Sequence, residues 1–412
     1  MLIVGPPWPR GGTARVMQNQ VEFYRSRGYQ PVVVCVPLHR AFVESHPAWE
    51  GIKSGIKELG ADQTFFASID VRRFNTAKYT SWISKTFRGT ALDWIVFTAN
   101  SALLPKAAIE FIHEHTVALV HVNHVYTLAF ARRLLKQVVQ SPNPVPMILE
   151  THDIQSHFLR DKGEINPWTH KLDTLDRLID SEISYLNKMK VLVHCSVDDF
   201  NFFKSHLPEK QHVLAMPTIN EAFISSVEAA CASSCDSIDL FFVGQSTVPN
   251  LAAMKWFFEQ VWPLIADRGY STKIVGPIDM LVRKDLPEIY KAYSSCFVGP
   301  IAELTSSYHA ARCVIAPMVS GTGISVKTIE ALALGKPFVG TSKAYRGMPI
   351  DRIRLAGLEA HDTPQDFASA IVRALSEERL AANASRCAYN SLFSKPAAFA
   401  SRDEAVRLAV AS

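Results

Sequence analysis

The sequence predicts an α/β protein of two doubly wound domains in tandem, and three observations carry that expectation. Short apolar runs alternate with helical patterns through the first half of the chain, the alternation restarts near Asp239, and a glycine-rich loop joins a strand to a helix late in the second half. The runs Leu2-Ile-Val, Pro31-Val-Val-Val-Cys-Val, Asp93-Trp-Ile-Val-Phe, Val117-Ala-Leu-Val-His-Val, Pro146-Met-Ile-Leu-Glu and Lys190-Val-Leu-Val-His are dominated by consecutive hydrophobic residues. Strands buried on both faces of a parallel sheet read in this way.

Between the first two runs, Ala14 to Arg27 offers Val16, Val21, Phe23 and Tyr24 to one buried face before Gly28 stops the helix. The second half reads Asp239-Leu-Phe-Phe-Val-Gly, a helix from Leu251 to Ala266, then Thr272-Lys-Ile-Val-Gly, Ser295-Cys-Phe-Val-Gly and Cys313-Val-Ile-Ala-Pro-Met-Val-Ser. From Met216 to Ser237 there is Pro217, small residues and no strong periodicity, the composition of a linker. The expected division is 1–217, 218–396, and a last helical segment, 397–412, returning across the first domain.

The 412 residues exceed a usual single domain, and both halves are long enough to bury a full core. A composition of 48% hydrophobic and 20% charged residues is that of an ordinary globular protein. The balance of 43 Lys and Arg against 39 Asp and Glu gives a net charge of +4, too modest to imply nucleic acid. No run approaches the roughly 18 apolar residues of a spanning helix, and Met1-Leu-Ile-Val-Gly reads as a buried strand, so the expected location is cytoplasmic. Seven scattered cysteines fit reduced core thiols, and the close pair Cys231 and Cys235 lacks a second ligand pair for zinc.

The segment Gly321-Thr-Gly-Ile-Ser-Val-Lys-Thr-Ile-Glu330 is the most informative of the chain. Two glycines let backbone N–H groups approach an anion, and the following helix adds its positive dipole end to the same place. Lys327 lies in the first turn beyond the loop and adds a full charge, and Glu330 offers a carboxylate suited to vicinal hydroxyls. A phosphate seat beside a hydroxyl-binding carboxylate indicates a nucleotide.

This order of motifs resembles the retaining GT-B glycosyltransferases of the large family-four (group 1) type, across nearly the whole chain. It is carried by Gly11-Gly12 after the first strand, Thr151-His152-Asp153 after a middle strand, Phe242-Val-Gly-Gln at the head of the second half, Val298-Gly-Pro-Ile-Ala-Glu-Leu, and the loop ending at Glu330. The resemblance implies two Rossmann-like domains facing across a cleft, with a nucleotide-diphosphate sugar held mainly by the C-terminal domain and the acceptor mainly by the N-terminal one. It implies donor-binding places for Gly11, Gly12, Gly244, Gln245, Ile301, Thr322, Gly323, Ile324, Ser325 and Glu330. Glu330 stands where the second glutamate of the family's E-x7-E motif takes the ribose hydroxyls. Two departures are visible: Thr322 replaces the first glutamate, and Gln245 and Asn250 occupy places where the family often has Arg and Lys. Asn250 also suits the N-cap of a helix beginning at Leu251. Positive charge for the departing diphosphate then falls to Lys327, with amides near Gly323 and Ile324.

In the first half, His121 and His124 flank one strand end, and His152 with Asp153 ends another. The resemblance places His124 and His152 near sugar or acceptor, where Asp153 would hold the imidazole or act as acceptor base. No metal is expected: the chain has no H-E-x-x-H, and Asp198-Asp199 opens a helix and reads as its cap rather than as a D-x-D site. From Val71 to Leu92 there are Arg72, Arg73, Lys78, Lys85 and Arg88, no acid, and interleaved aromatics. That stretch reads either as an interfacial helix reaching anionic lipid at the inner membrane face or as a solvated helix with its aromatics in the core. The expected function is metal-independent, retaining transfer of a sugar to a glycan, lipid-linked or small-molecule acceptor, with no cofactor beyond the donor. The alternatives are a GT-B nucleotide-sugar epimerase and a degenerate nucleotide-sugar-binding partner protein.

Overall fold

The computed structural model describes residues 1–9, 12–38, 49–69, 89–138, 144–166, 169–230 and 237–411. The chain divides into two units, Met1–Pro217 with Phe399–Ser412, and Thr218–Ala398. In the first unit, β1 (Leu2–Gly5), β2 (Val32–Cys35), β3 (Gln63–Phe66), β4 (Val120–Asn123), β5 (Met147–Glu150), β6 (Val191–His194) and β7 (Gln211–Leu214) form one parallel sheet in the order β3-β2-β1-β4-β5-β6-β7. Leu2 pairs with Val32 on one side and Val120 on the other, and the residues of β1, β2, β4 and β6 are all buried. In the second unit, β8 (Ile238–Val243), β9 (Thr272–Val275), β10 (Phe297–Gly299), β11 (Ala311–Ala316) and β12 (Phe338–Gly340) are parallel in the order β10-β9-β8-β11-β12.

The chain reverses its direction of sheet growth between β1 and β4 in the first unit, and between β8 and β11 in the second. Helices leave opposite faces on either side of such a point, so a crevice opens beyond the strands' carboxyl ends. The described segments at those points are residues 6–9, Gly12 and His124 in one unit, and Gly244 to Asn250 and 317–325 in the other.

Several local expectations are corrected. Asp93-Trp-Ile-Val-Phe is not a strand but part of the helix Ala91–Ser101, where Thr90 and Asp93 form a capping box. A short apolar run does not distinguish a strand from a buried helix, and the cap decides here. Two strands that sequence did not single out, β3 and β7, are the sheet's edges, and their partial exposure breaks the apolar run. The linker span contains the helix Glu221–Ala229, capped by Asn220, while residues 231–236, with Cys231 and Cys235, lie outside the described residues. Beyond β8 the α-helix runs Val248–Trp256 with Thr247 at its N-cap, so Asn250 is inside the helix rather than capping it. It then passes into a π turn, Phe257–Val261, and a 3-10 turn, Trp262–Leu264, because Pro263 has no N–H to continue the ladder. Ser196, rather than Asp198 or Asp199, caps Val197–His206.

The C-terminal helix runs Lys395–Val410, and its residues from Phe399 onward belong to the first unit. There Phe399 meets Phe23 edge-on at 5.2 Å, Arg27 donates to Asp403 at 2.8 Å, and Arg402 reaches the buried Glu150. Thr90→Ala is expected to lower unfolding free energy by about 1 kcal/mol, read as a lower urea midpoint at unchanged slope, because it removes the cap of Ala91–Ser101.

Candidate functional site

In the second unit, the loop from Pro317 to Ser325 connects β11 to the helix Val326–Ala333. Gly321 has φ of 132° and Gly323 of 62°, values that side chains other than glycine's adopt at a cost. At Gly321 an added Cβ would also lie 3.1 Å from the Arg346 guanidinium. Ser325 occupies the N-cap but its side chain makes no cap bond, and the Thr328 N–H donates to the Ser325 carbonyl at 3.1 Å, so it is the N–H groups of Val326 and Lys327 that keep their donor capacity toward the loop.

Lys327, in the first turn, aims its Nζ at Asn250 Oδ1, 2.7 Å away, and holds it 4.2 Å from the centre of the Phe242 ring. Asn250 Nδ2 in turn donates to the Gln245 carbonyl at 2.9 Å, which fixes the amide with its oxygen toward the lysine. Asn250, read from sequence as a cap, is thus the lysine's seat. Burial, and then the nearby Arg346, push the Lys327 ammonium down to about 7 despite the pull of Glu330 in the opposite direction. A lysine held by a neutral amide and a ring face is ready to take an anionic partner.

One turn on, Glu330 Oε2 accepts from the hydroxyl of the buried Tyr308 at 3.0 Å. Thr322 is exposed, and its carbonyl accepts from Arg346 Nε at 2.9 Å. Gly244 serves close packing: an added Cβ would lie 2.6 Å from the Phe242 ring, and the Gly244 carbonyl lies where a Cβ on Gly276 would stand. Gln245 is exposed and contributes its carbonyl, while Ile301 lies exposed on the loop after β10. The structure therefore gathers Gly323, Ile324, Ser325, Lys327 and Glu330 on one loop and helix, with Asn250 reaching across from the other side of the switch point.

In the first unit, His124 follows β4 and His152 follows β5, and both have φ of 65°. The left-handed region is uncommon for any residue but glycine, although histidine enters it more readily than most. Their rings stack at 4.1 Å with planes 8° apart, and Trp8 meets His124 edge-on at 4.9 Å. His124 Nε2 is 3.0 Å from Thr13 Oγ1, one residue into the helix that starts at Gly12; Gly11 lies outside the described residues. His152 Nε2 is 2.8 Å from Asn123 Oδ1, so Asn123, rather than Asp153, holds this imidazole. Burial pushes His152 down to about 4 and His124 well below its ordinary value, so both rings are neutral at pH 7.

Behind them lies a buried cluster that sequence reading missed. Glu150 accepts from Arg402 Nη1 at 3.0 Å, from Gln20 Nε2 at 2.7 Å and from His121 Nε2 at 3.0 Å. Burial alone would raise the Glu150 carboxyl, but Arg402 and His121 outweigh it and hold it well below the carboxylate range. A charged residue ending a fully apolar run was the visible signal for Glu150, whereas no local pattern announces Arg402, Arg346 or Tyr308. Arg72 to Arg88 lie outside the described residues. Among the described residues no group of three His, Cys, Asp or Glu is placed to hold a metal ion, and no helix is long and apolar enough to cross a membrane.

Residues 237–377 match the family model described as glycosyl transferases group 1. No curated protein matches the chain by sequence. Among solved structures, an α,α-trehalose-phosphate synthase (UDP-forming) from Burkholderia xenovorans in complex with glucose-6-phosphate superposes with a TM-score of 0.63 at 12% identity, covering 99% of each chain. Anabaena HepE in complex with UDP and glucose gives 0.59 at 12% identity, covering 98% of this chain and 99% of its own. A glycosyltransferase from Rickettsia africae gives 0.60 at 14%, covering 99% of this chain and 98% of its own. The chain has the GT-B fold, and residues 237–377 of its second unit are similar to the group 1 glycosyl transferases.

Proposed function

We propose that this protein transfers a sugar from a nucleotide-diphosphate donor to a hydroxyl acceptor, with retention of anomeric configuration and with side chains rather than a metal ion carrying the leaving-group charge. The observation that carries the reading is the set formed by the glycine loop, the uncapped helix start, Lys327 on Asn250 and Glu330 on Tyr308. The family match over this segment supports it, as does the UDP and glucose held by HepE.

As the glycosidic bond to the diphosphate breaks, positive charge grows on the sugar and negative charge on the leaving phosphate. Lys327 and the amides around Gly323 and Ile324 are assigned to that negative charge, Glu330 to the ribose hydroxyls, and Arg346 supplies a second cation beside the loop. One preorganised donor of this kind is worth about 2.7 to 4 kcal/mol. Thr322 does not supply the carboxylate that the family's first glutamate brings, so sugar hydroxyls meet a neutral loop here. In the first unit, His124 and His152 are neutral imidazoles suited to orienting a hydroxyl and taking its proton, with Asp153 adjoining them. The acceptor is a carbohydrate, a lipid-linked glycan or a small hydroxylated molecule.

With UDP-glucose as the first donor probe, release of UDP that depends on added acceptor separates transfer from mere binding. Tight binding without acceptor-dependent release across a panel of glycan and lipid-linked acceptors would leave a binding protein instead. Glu330→Ala is expected to weaken donor binding about tenfold or more in titration calorimetry, in line with the loss of hydrogen bonds from a charged acceptor. Lys327→Ala is expected to lower turnover by about 100-fold or more while donor affinity changes less. Wild-type donor affinity in the Glu330 variant would remove the ribose assignment.

Binding should also take up a proton. Free Lys327 is half deprotonated near pH 7, and an adjacent diphosphate raises its pKa, so affinity is level below about pH 7 and falls as pH rises above it. The esterified diphosphate of a nucleotide sugar does not itself titrate in that range. Calorimetry at pH 8 in buffers of different ionisation enthalpy should register this uptake in the wild type and lose it in Lys327→Gln.

A further inference from the structure

We propose that Arg402, acting through Glu150, Gln20 and Asn123, fixes the imidazole of His152 as its Nε2–H tautomer and leaves Nδ1 as the nitrogen that can accept a proton. Arg402 and Glu150 are 252 positions apart, yet both are 2% exposed or less, and Gln20 and Asn123 are just as deeply enclosed. Apart from Arg402 Nε, which has no partner among the described residues, the side-chain nitrogens and oxygens that link these four residues are paired with one another, so the polarity of each bond constrains the next.

The relay starts from charge. Arg402 places both Nη atoms on Glu150, at 3.0 and 3.4 Å, and an ionised carboxylate accepts hydrogen bonds but donates none. Gln20 must therefore turn its NH2 toward Glu150, at 2.7 Å, and the same NH2 donates its second hydrogen to Asn123 Oδ1 at 2.8 Å. The remaining Gln20 oxygen accepts from Asn123 Nδ2 at 3.0 Å, which locks the second amide in the same sense. Asn123 Oδ1 is then the atom 2.8 Å from His152 Nε2, and a carbonyl oxygen can only be met there by N–H.

The other groups facing the cluster agree with this polarity. His121 Nε2 lies 3.0 Å from Glu150 and 3.2 Å from Gln20 Nε2; with both Gln20 hydrogens given to Glu150 and Asn123, His121 turns its own Nε2–H to Glu150 and accepts at Nδ1 from the Tyr24 hydroxyl at 2.8 Å. His124 covers the face of His152 and is tied to Thr13 through its own Nε2. One positive and one negative charge, Arg402 and Glu150, balance inside the cluster. Arg402, Glu150, Gln20 and Asn123 are positioning residues. Nδ1 of His152 as the proton acceptor in transfer rests on the function proposed above, whereas the tautomer does not.

Histidine-selective 15N labelling of the full chain, with His152→Gln to assign the signal, reads the tautomer directly. The wild type should show Nε2–H at His152, and an Nδ1–H ring would overturn the proposal without any substitution. Gln20→Met cuts the relay and leaves the Arg402–Glu150 pair intact, and Glu150→Gln allows the amides to invert. In both, with circular dichroism unchanged, His152 should become mixed or Nδ1–H, and turnover should fall about tenfold or more at unchanged UDP-glucose affinity. Retention of the Nε2–H ring in the folded variants would overturn the relay. A tautomer change with turnover intact would uphold the relay and reject His152 as the group that acts in transfer.

Discussion

Every functional feature of this chain depends on one constraint: both sheets are wholly parallel among the described strands. Parallel strands require a crossover after each one, so all carboxyl ends emerge on one edge, and the side chains just beyond them are the ones a ligand can reach. At the point where strand order reverses, two such edges adjoin with no helix between them. Lys327 meets Asn250 because β11 and β8 are neighbours at that point, although 77 positions separate the two residues. His124 and Thr13 meet beside β4 and β1 for the same reason.

The two units treat charge in opposite ways, and the difference follows from what each is assigned to hold. In the first, a buried carboxylate is matched by a buried guanidinium, and removing either partner would strand an uncompensated charge at a cost of about 3 to 5 kcal/mol. Such a pair adds little net stability over an apolar core of equal volume, so its value lies in the orientation it imposes. In the second, the cation is seated on a neutral amide and a ring face, which satisfies its hydrogen bonding without cancelling its charge. The protein bears that cost as a depressed lysine pKa, which the diphosphate proposed to bind there would relieve.

The sequence made legible what is periodic or local. Central strands are unbroken apolar runs, and the loop from Gly321 carries its glycines and lysine within ten residues, so a strand-loop-helix unit with a lysine in its first helical turn could be read directly. The edge strands β3 and β7 could not, since an edge is half solvated and its residues are mixed. Asp93 to Phe97 misled because burial makes a helix as apolar as a strand; Thr90 and Asp93 held the correct answer in their spacing. Tyr308 on Glu330, Arg346 on the loop and Arg402 on Glu150 come from 22, 24 and 252 positions away, and only the folded chain brings them together.

The backbone at the two histidines explains why so much buried polarity is gathered behind them. A left-handed conformation at a residue other than glycine costs on the order of 1 kcal/mol or more, and here it occurs at both strand ends. That conformation turns each chain sharply as it leaves the sheet, so the two rings lie parallel and in contact. An imidazole held by stacking alone could still rotate about its ring bond and exchange its proton between nitrogens. Asn123 removes that freedom at His152, Thr13 ties down the ring of His124, and the Cys195 thiol donates to the His152 carbonyl at 3.1 Å. The strain is tolerable because the surroundings over-determine the geometry, and a ring whose orientation is settled before the acceptor arrives loses no further entropy when it does.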